Sequence, residues 1–215
     1  QILRDSYHQI TTKQNADKKL TSEQMTALKN IEIAQHQGKQ KFLLYGVTGS
    51  GKTQIYIEMA LKARALGKQI LILVPEIVLT GQLVTSFKEY FADDVAVIHS
   101  RLSIGERNDT FWRIRTKQVS IIIGARSALF APFEDLGLIV MDEEHDPSYK
   151  QDESPRYHSH DIIEKMAEIY HATLIMGSAT PSLESYYKAQ IGEYVLLKMP
   201  NRIDNLPLPY IEGVD

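Results

Sequence analysis

The stretch "KFLLYGVTGSGKT", residues 41–53, decides how this chain is read. An apolar, strand-forming run ends at Gly46 and leads into Val47, Thr48, Gly49, Ser50, Gly51, Lys52 and Thr53. The spacing is G-x-x-x-x-G-K-[ST], and beyond it Tyr56, Met59, Ala60 and Ala63 recur at helical intervals. Strand, glycine loop and helix therefore stand in the order that a phosphate-binding loop requires. Glycines let the backbone wrap until successive N–H groups face phosphate oxygens. The helix N-terminus adds a partial positive charge, Lys52 adds a full one, and the Thr53 hydroxyl suits magnesium. A chance match in a glycine-rich turn would not need the flanking strand and helix. The stretch predicts a site for a nucleoside triphosphate and Mg²⁺.

Working outward, apolar β-rich runs recur at residues 69–75, 95–100, 119–124, 136–142 and 172–178, with a further one over 193–199. Helical patterns such as Ile163, Met166, Ala167 and Tyr170 lie between most of them. Near-continuous apolar strands separated by helices predict an α/β fold, a mainly parallel sheet with helices on both faces. Six of the strands run into a polar or glycine-bearing cluster: "GVTGSGKT", "PEIVLT", "HSRLS", "GARSALF", "DEEHD" and "GSATPS". Ligands of open α/β sheets bind outside the carboxyl ends of the strands, so these clusters describe one composite site.

The composition sets bounds around that frame. The chain has 215 residues, 43% hydrophobic and 24% charged, which is ordinary for a globular protein. Its formal charge of −3 gives no overall pull on nucleic acid, so such a partner needs a local patch. No apolar run approaches the roughly 20 residues of a membrane span. The absence of cysteine excludes disulfides and thiolate metal sites from this chain. Residues 1–20 read as an N-terminal linker or arm, residues 21–199 as the nucleotide-binding unit, and the proline-bearing residues 200–215 as an exit linker.

A phosphate loop needs an acid at the end of a neighbouring strand to hold magnesium, and Asp142 after "LGLIVM" fits that role. Glu143 is placed to orient or deprotonate an attacking water. Glu144 is open between a site acid and a solvated acidic loop, and His145 is a candidate link to neighbouring loops. His158 and His160 do not share a helix face and read as a surface or structural pair rather than a metal site. Thr80, Arg126 and Ser127 lie in small, hydroxyl-rich strand ends that suit phosphates of a nucleic-acid strand, or else ordinary turns and caps. Ser178 and Thr180 either bridge nucleotide and nucleic-acid sites or serve a helix start at Pro181. "LTSEQ" reads as a capping box, with Thr21 as cap and Gln24 three residues on. Trp112, in a helical stretch, reads as a packing residue.

In this order the strings resemble the motif set of superfamily 2 helicases. Gln24 matches the adenine-reading glutamine and "GVTGSGKT" motif I. "PEIVLT" and "GARSALF" match motifs Ia and Ib, "DEEH" motif II and "SAT" motif III. Within that superfamily, "LVPEI", "HSRLS", "GARSALFAPF", "DEEHDPSYKQDESPRYH" and "GSATPSLES" closely resemble the primosomal replication-restart helicases over roughly residues 20 to 215.

The resemblance implies a RecA-like P-loop fold and the first of two motor lobes. It implies an ATP-dependent 3′-to-5′ DNA helicase that acts at stalled forks and D-loops in replication restart and primosome assembly. Its partners would be forked and single-stranded DNA, other primosome proteins and single-stranded DNA-binding protein, in the bacterial cytoplasm at the nucleoid. It further implies that residues 147–157 form an aromatic-rich loop sensing single-stranded DNA. Tyr149 and Tyr157 would then stack on bases while Lys150 and Arg156 meet phosphates. The family's zinc module needs cysteines that this chain lacks. The arginine finger and the other second-lobe motifs are expected outside this chain, so alone it should bind ATP weakly and unwind nothing. The competing class is a nucleotide-gated DNA- or protein-binding loader that does not translocate.

Overall fold

The apolar runs pair edge to edge, and every pairing among the long strands is parallel. The computed structural model describes residues 19–76 and 81–203. Most of the expected arm (1–20), most of the expected exit linker (200–215) and Thr80 lie outside the described residues. The chain begins α1 (Ser22–His36), β1 (Lys41–Gly46), α2 (Lys52–Ala65), β2 (Gln69–Leu73), α3 (Gln82–Phe91), β3 (Val95–Ile98) and α4 (Ile104–Arg115). It continues β4 (Ile121–Gly124), β5 (Leu136–Asp142), β6 (Lys150–Gln151), β7 (Tyr157–His158), α5 (Ser159–Tyr170), β8 (Thr173–Ser178), α6 (Leu183–Gln190) and β9 (Val195–Met199).

The main sheet has the order β3-β4-β2-β5-β8-β1-β9. Period-two alternation sends successive side chains to opposite faces. Phe42, Leu44, Ile70, Ile72, Leu138, Val140 and Ile175 join one buried cluster, with residues of α1, α2 and α3. Leu43, Leu71, Leu73, Ile139, Met141, Leu174 and Met176 join the other, beneath α4 and α5. The strands read as unbroken apolar runs because both faces are covered.

Parallel pairing puts the carboxyl ends of all seven strands at one edge, as the strand-end clusters required. The ends of β1 and β5 are separated there only by β8, with Tyr45 opposite Ser178 and Asp142 opposite Gly177.

Local signals account for several helix starts. Thr21 caps α1 in a full capping box with Gln24, and Ser103 caps α4 in another with Glu106. The helix expected at Pro181 begins two residues later. Ser182 is its cap, since a hydroxyl satisfies a free N–H and a proline ring supplies none. Trp112 also departs from its reading. It is 59% exposed, and its neighbour Phe111 is the ring that packs against the core.

Away from the strand-end edge, Glu164 accepts hydrogen bonds from Lys188 and Tyr194, tying α5 to α6 and to the approach to β9. Burial acts to raise the Glu164 pKa, but those two donors and Lys41 outweigh it and hold it below the usual value. A depressed carboxylate adds stability that is present above its unfolded pKa, about 4.3, and is lost as pH falls through the folded value. Glu164→Gln should therefore lower the melting temperature at pH 7, with the gap to wild type closing below about pH 4. The group is half solvated, so the loss should stay below about 1 kcal/mol. A gap that persists unchanged at pH 3 in thermal denaturation would contradict this account.

Candidate functional site

The glycine loop closes a cleft of about 830 Å³ lined by Val47, Thr48, Gly49, Ser50, Gly51, Lys52, Thr53, Gln24, Asp142 and Glu143. Gly46 sits at its base, where its carbonyl accepts a 2.8 Å hydrogen bond from Lys52 Nζ. The loop is shaped by Gly51, which has φ 84°. A Cβ there would fall 2.4 Å from Gln24 Nε2, so both backbone and space demand glycine. The Ser50 hydroxyl is buried beneath the loop with no hydrogen-bond partner among the described residues.

Gln24 uses both ends of its amide. Its Oε1 accepts from the Thr21 N–H at 2.8 Å, and its Nε2 donates to the Gly51 carbonyl at 3.2 Å. Each end keeps a further hydrogen-bonding valence for a ligand. A capping residue thus also braces the phosphate loop.

Asp142 closes β5 directly opposite the loop. Its Oδ1 accepts a 2.8 Å hydrogen bond from Tyr56, a fully buried residue of α2 that the helical pattern marks only as core. Burial pushes the Asp142 carboxyl above the usual carboxylate range, with Glu143 adding to the rise and Tyr56 and Lys52 opposing it. A bound cation is what would favour its charged form.

Glu143 takes φ 45°, which turns its side chain out of the strand direction. Its Oε1 lies 3.8 Å from Lys52 Nζ and its Oε2 3.7 Å from His145 Nδ1. His145 Nδ1 is also 2.8 Å from Ser178 Oγ, which accepts from the Thr180 N–H at 2.9 Å. The strand end of β8 is thereby wired to the acidic turn.

Glu144 is buried, not solvated. It accepts from the Ser182 N–H (2.7 Å) and from the Ser182 and Ser185 hydroxyls (both 2.9 Å), and lies 2.9 Å from His160 Nε2. Burial acts to raise its pKa, but His160 and the serine donors outweigh it and hold the carboxyl below its usual value. His158 caps α5 and packs its ring against His160, so the His-x-His pair is structural. No metal-holding group of three His, Cys, Asp or Glu occurs among the described residues.

The loop after the acidic turn corrects one expectation. Tyr149 offers no face to a base: it is 1% exposed, and its hydroxyl donates to the Asp142 carbonyl at 2.6 Å. The aromatic at the surface is Phe130, 58% exposed and edge-on to Tyr157 with ring centroids 5.6 Å apart. Around this pair, Arg126 donates to the Lys150 carbonyl, and the Lys150 and Arg156 side chains are exposed. Ser127 is half-buried in the same turn, and Thr180 is exposed at the end of β8. Sequence reasoning missed Phe130 because an apolar residue closing a strand-end turn reads as core. Its only signal was that the turn around it was already a candidate contact.

The model of the DEAD/DEAH box helicase family matches residues 21–189. The chain is 47% identical over 216 residues to Replication restart protein PriA of Bacillus subtilis (strain 168), covering 100% of this chain and 27% of that protein. It is 46% identical over 191 residues to Replication restart protein PriA of Haemophilus influenzae, covering 89% of this chain and 26% of that protein. It therefore spans about a quarter of the length of these curated relatives. Among solved structures it is similar to RecG bound to a three-way DNA junction, with TM-score 0.61, 24% identity, and 86% of this chain and 24% of that chain covered. The helicase domain of Pyrococcus furiosus Hef aligns with TM-score 0.56 and 21% identity, over 86% of this chain and 41% of that one. Both solved structures support the fold.

Proposed function

The chain belongs to the DEAD/DEAH box helicase family, and from that premise we propose that it is the ATP-binding first motor lobe of a replication-restart DNA helicase. The observation that carries this reading is the convergence of Gln24, the phosphate loop, Asp142 and Glu143 on one cleft at the carboxyl edge of the sheet. Identity to the PriA proteins across the whole chain supports the replication-restart assignment.

In this reading the loop amides and Lys52 hold the triphosphate, and Gln24 reads the base. Thr53 and Asp142 would hold Mg²⁺, which offsets charge on the phosphates when bound. Glu143 takes the proton of the attacking water. A second lobe would complete the site and supply the arginine finger, so this chain alone binds ATP weakly and does not unwind. Substrates are forked and single-stranded DNA with 3′-to-5′ movement, and primosome proteins and single-stranded DNA-binding protein are partners.

DNA would meet the surface formed by Phe130, Tyr157, Arg126, Ser127, Lys150 and Arg156. Tyr149 serves beneath it as a brace, because its hydroxyl holds the carbonyl of the metal-site aspartate. DNA contact and the acidic turn are then linked through one buried ring.

The test is ATP turnover by the full-length protein with and without single-stranded DNA. Turnover should rise with DNA, and Phe130→Ala/Tyr157→Ala should raise the DNA concentration for half-maximal stimulation by about 5- to 150-fold, as expected for about 1–3 kcal/mol of stacking. Turnover indifferent to DNA in the wild type would favour a nucleotide-gated loader over a motor.

A further inference from the structure

Four residues past β9 lie against the nucleotide cleft, and no motif accounts for them. The Val47 N–H donates to the Met199 carbonyl at 3.2 Å, and the Ile203 N–H donates to the Gly49 carbonyl at 3.1 Å. Between these points Asn201 is tied to α1, its side-chain amide donating to Glu23 Oε1 at 2.5 Å. The Arg202 stem runs along Gly49, its Cγ, Cδ and Nε lying 3.8–3.9 Å from where a Cβ would stand. Arg202 Nε is buried there and has no hydrogen-bond partner among the described residues. The segment is thus strapped across the outer side of the phosphate loop.

The strap delivers one apolar side chain to a polar cleft. Ile203 lines that cleft beside Gln24 and remains 51% exposed. Its Cδ1 and Gln24 Nε2 both crowd the empty Cβ position of Gly51, at 2.7 and 2.4 Å. An amide that reads a ring edge and an aliphatic surface beside it form the pair of contacts that a flat heteroaromatic base requires. One satisfies its polar edge and the other covers its apolar face. The phosphates, held by the loop, need neither.

We propose that Ile203, positioned by the Asn201–Glu23 tie and the Gly49 carbonyl, is a base-contacting residue of the nucleotide site. It takes the face of an adenine base whose edge meets Gln24. This rests on the nucleotide-site reading above and extends it to a residue outside the phosphate loop and the acidic turn.

The experiment compares equilibrium binding of Mg²⁺–ATP and of Mg²⁺–tripolyphosphate, which has no base, to the full-length protein. Ile203→Ala should weaken ATP about tenfold by removing its apolar contact, and leave tripolyphosphate affinity unchanged. Asn201→Ala should shift ATP alone in the same direction. Lys52→Ala should weaken both ligands. Equal weakening of both ligands by Ile203→Ala would mean that the loop itself was disturbed, and would overturn the proposal. So would no change in either ligand while Lys52→Ala remains defective, in which case the nucleotide site stands without the strap. A wild-type protein that binds neither ligand would overturn the site and the strap together.

Discussion

Glu143→Gln should lower ATP turnover of the full-length protein by about 10²- to 10⁴-fold, the range for loss of a positioned general base, with little change in nucleotide affinity. Asp142 is less suited to this role, because Tyr56 already occupies its Oδ1. Glu143 lines the cleft, and its carboxylate lies 3.8 Å from Lys52 and 3.7 Å from His145, outside normal hydrogen-bond distance. The amide keeps the volume, but it cannot take a proton. Single-turnover hydrolysis together with equilibrium ATP binding checks the result. A loss of affinity as large as the loss of rate would assign Glu143 to binding and remove it as the base.

The second large effect is structural and starts at Gly177, the first residue of the "GSATPS" cluster. A Cβ on Gly177 would fall 1.7 Å from Tyr56 Oη and 3.0 Å from Tyr56 Cζ. β8 is buried in the middle of the sheet and cannot move aside without breaking its pairing with β1 and β5. Gly177→Ala should therefore cost about 3 kcal/mol or more, combining overpacking with loss of the hydrogen bond from Tyr56 to Asp142. For a domain of this size, that is a fall of about 6–12 °C in melting temperature. Adding Tyr56→Phe to Gly177→Ala removes the atom in the closest contact and should recover part of the loss, a coupling that a double-mutant cycle measures. An unchanged melting temperature for the single variant would show that α2 yields freely at this point.

Both predictions depend on groups that the linear sequence displayed unequally. The glycine loop was legible because its geometry is local: strand, glycines, Lys52 and helix are contiguous. The strands were legible because burial on both faces removes polar residues from them, as in the unbroken run of β5. The placement of Asp142 and Glu143 beside that loop followed from their position at the end of β5, and both line its cleft.

Tyrosines show where that legibility stopped. Tyr56 sits at a helical interval and reads as core, which it is, yet its hydroxyl is the group that holds Asp142. Tyr149 and Tyr157 stand in one loop among the same acids and bases, and nothing local separates them. The fold turns Tyr149 inward under the acidic turn and leaves Tyr157 beside Phe130. Glu144 stood open between a site acid and a solvated loop in the sequence, and it is α5 and α6 that bury it by bringing His160, Ser182 and Ser185 to it.

The sequence by itself determined the parallel α/β sheet, the phosphate loop and the acidic strand end, because each rests on periodicity or on neighbours a few residues apart. Only the tertiary structure decided which aromatics face solvent, which acid is buried and that Ile203 reaches the cleft. Those outcomes depend on contacts between residues distant in the chain, where one side chain can serve as core, brace or binding surface.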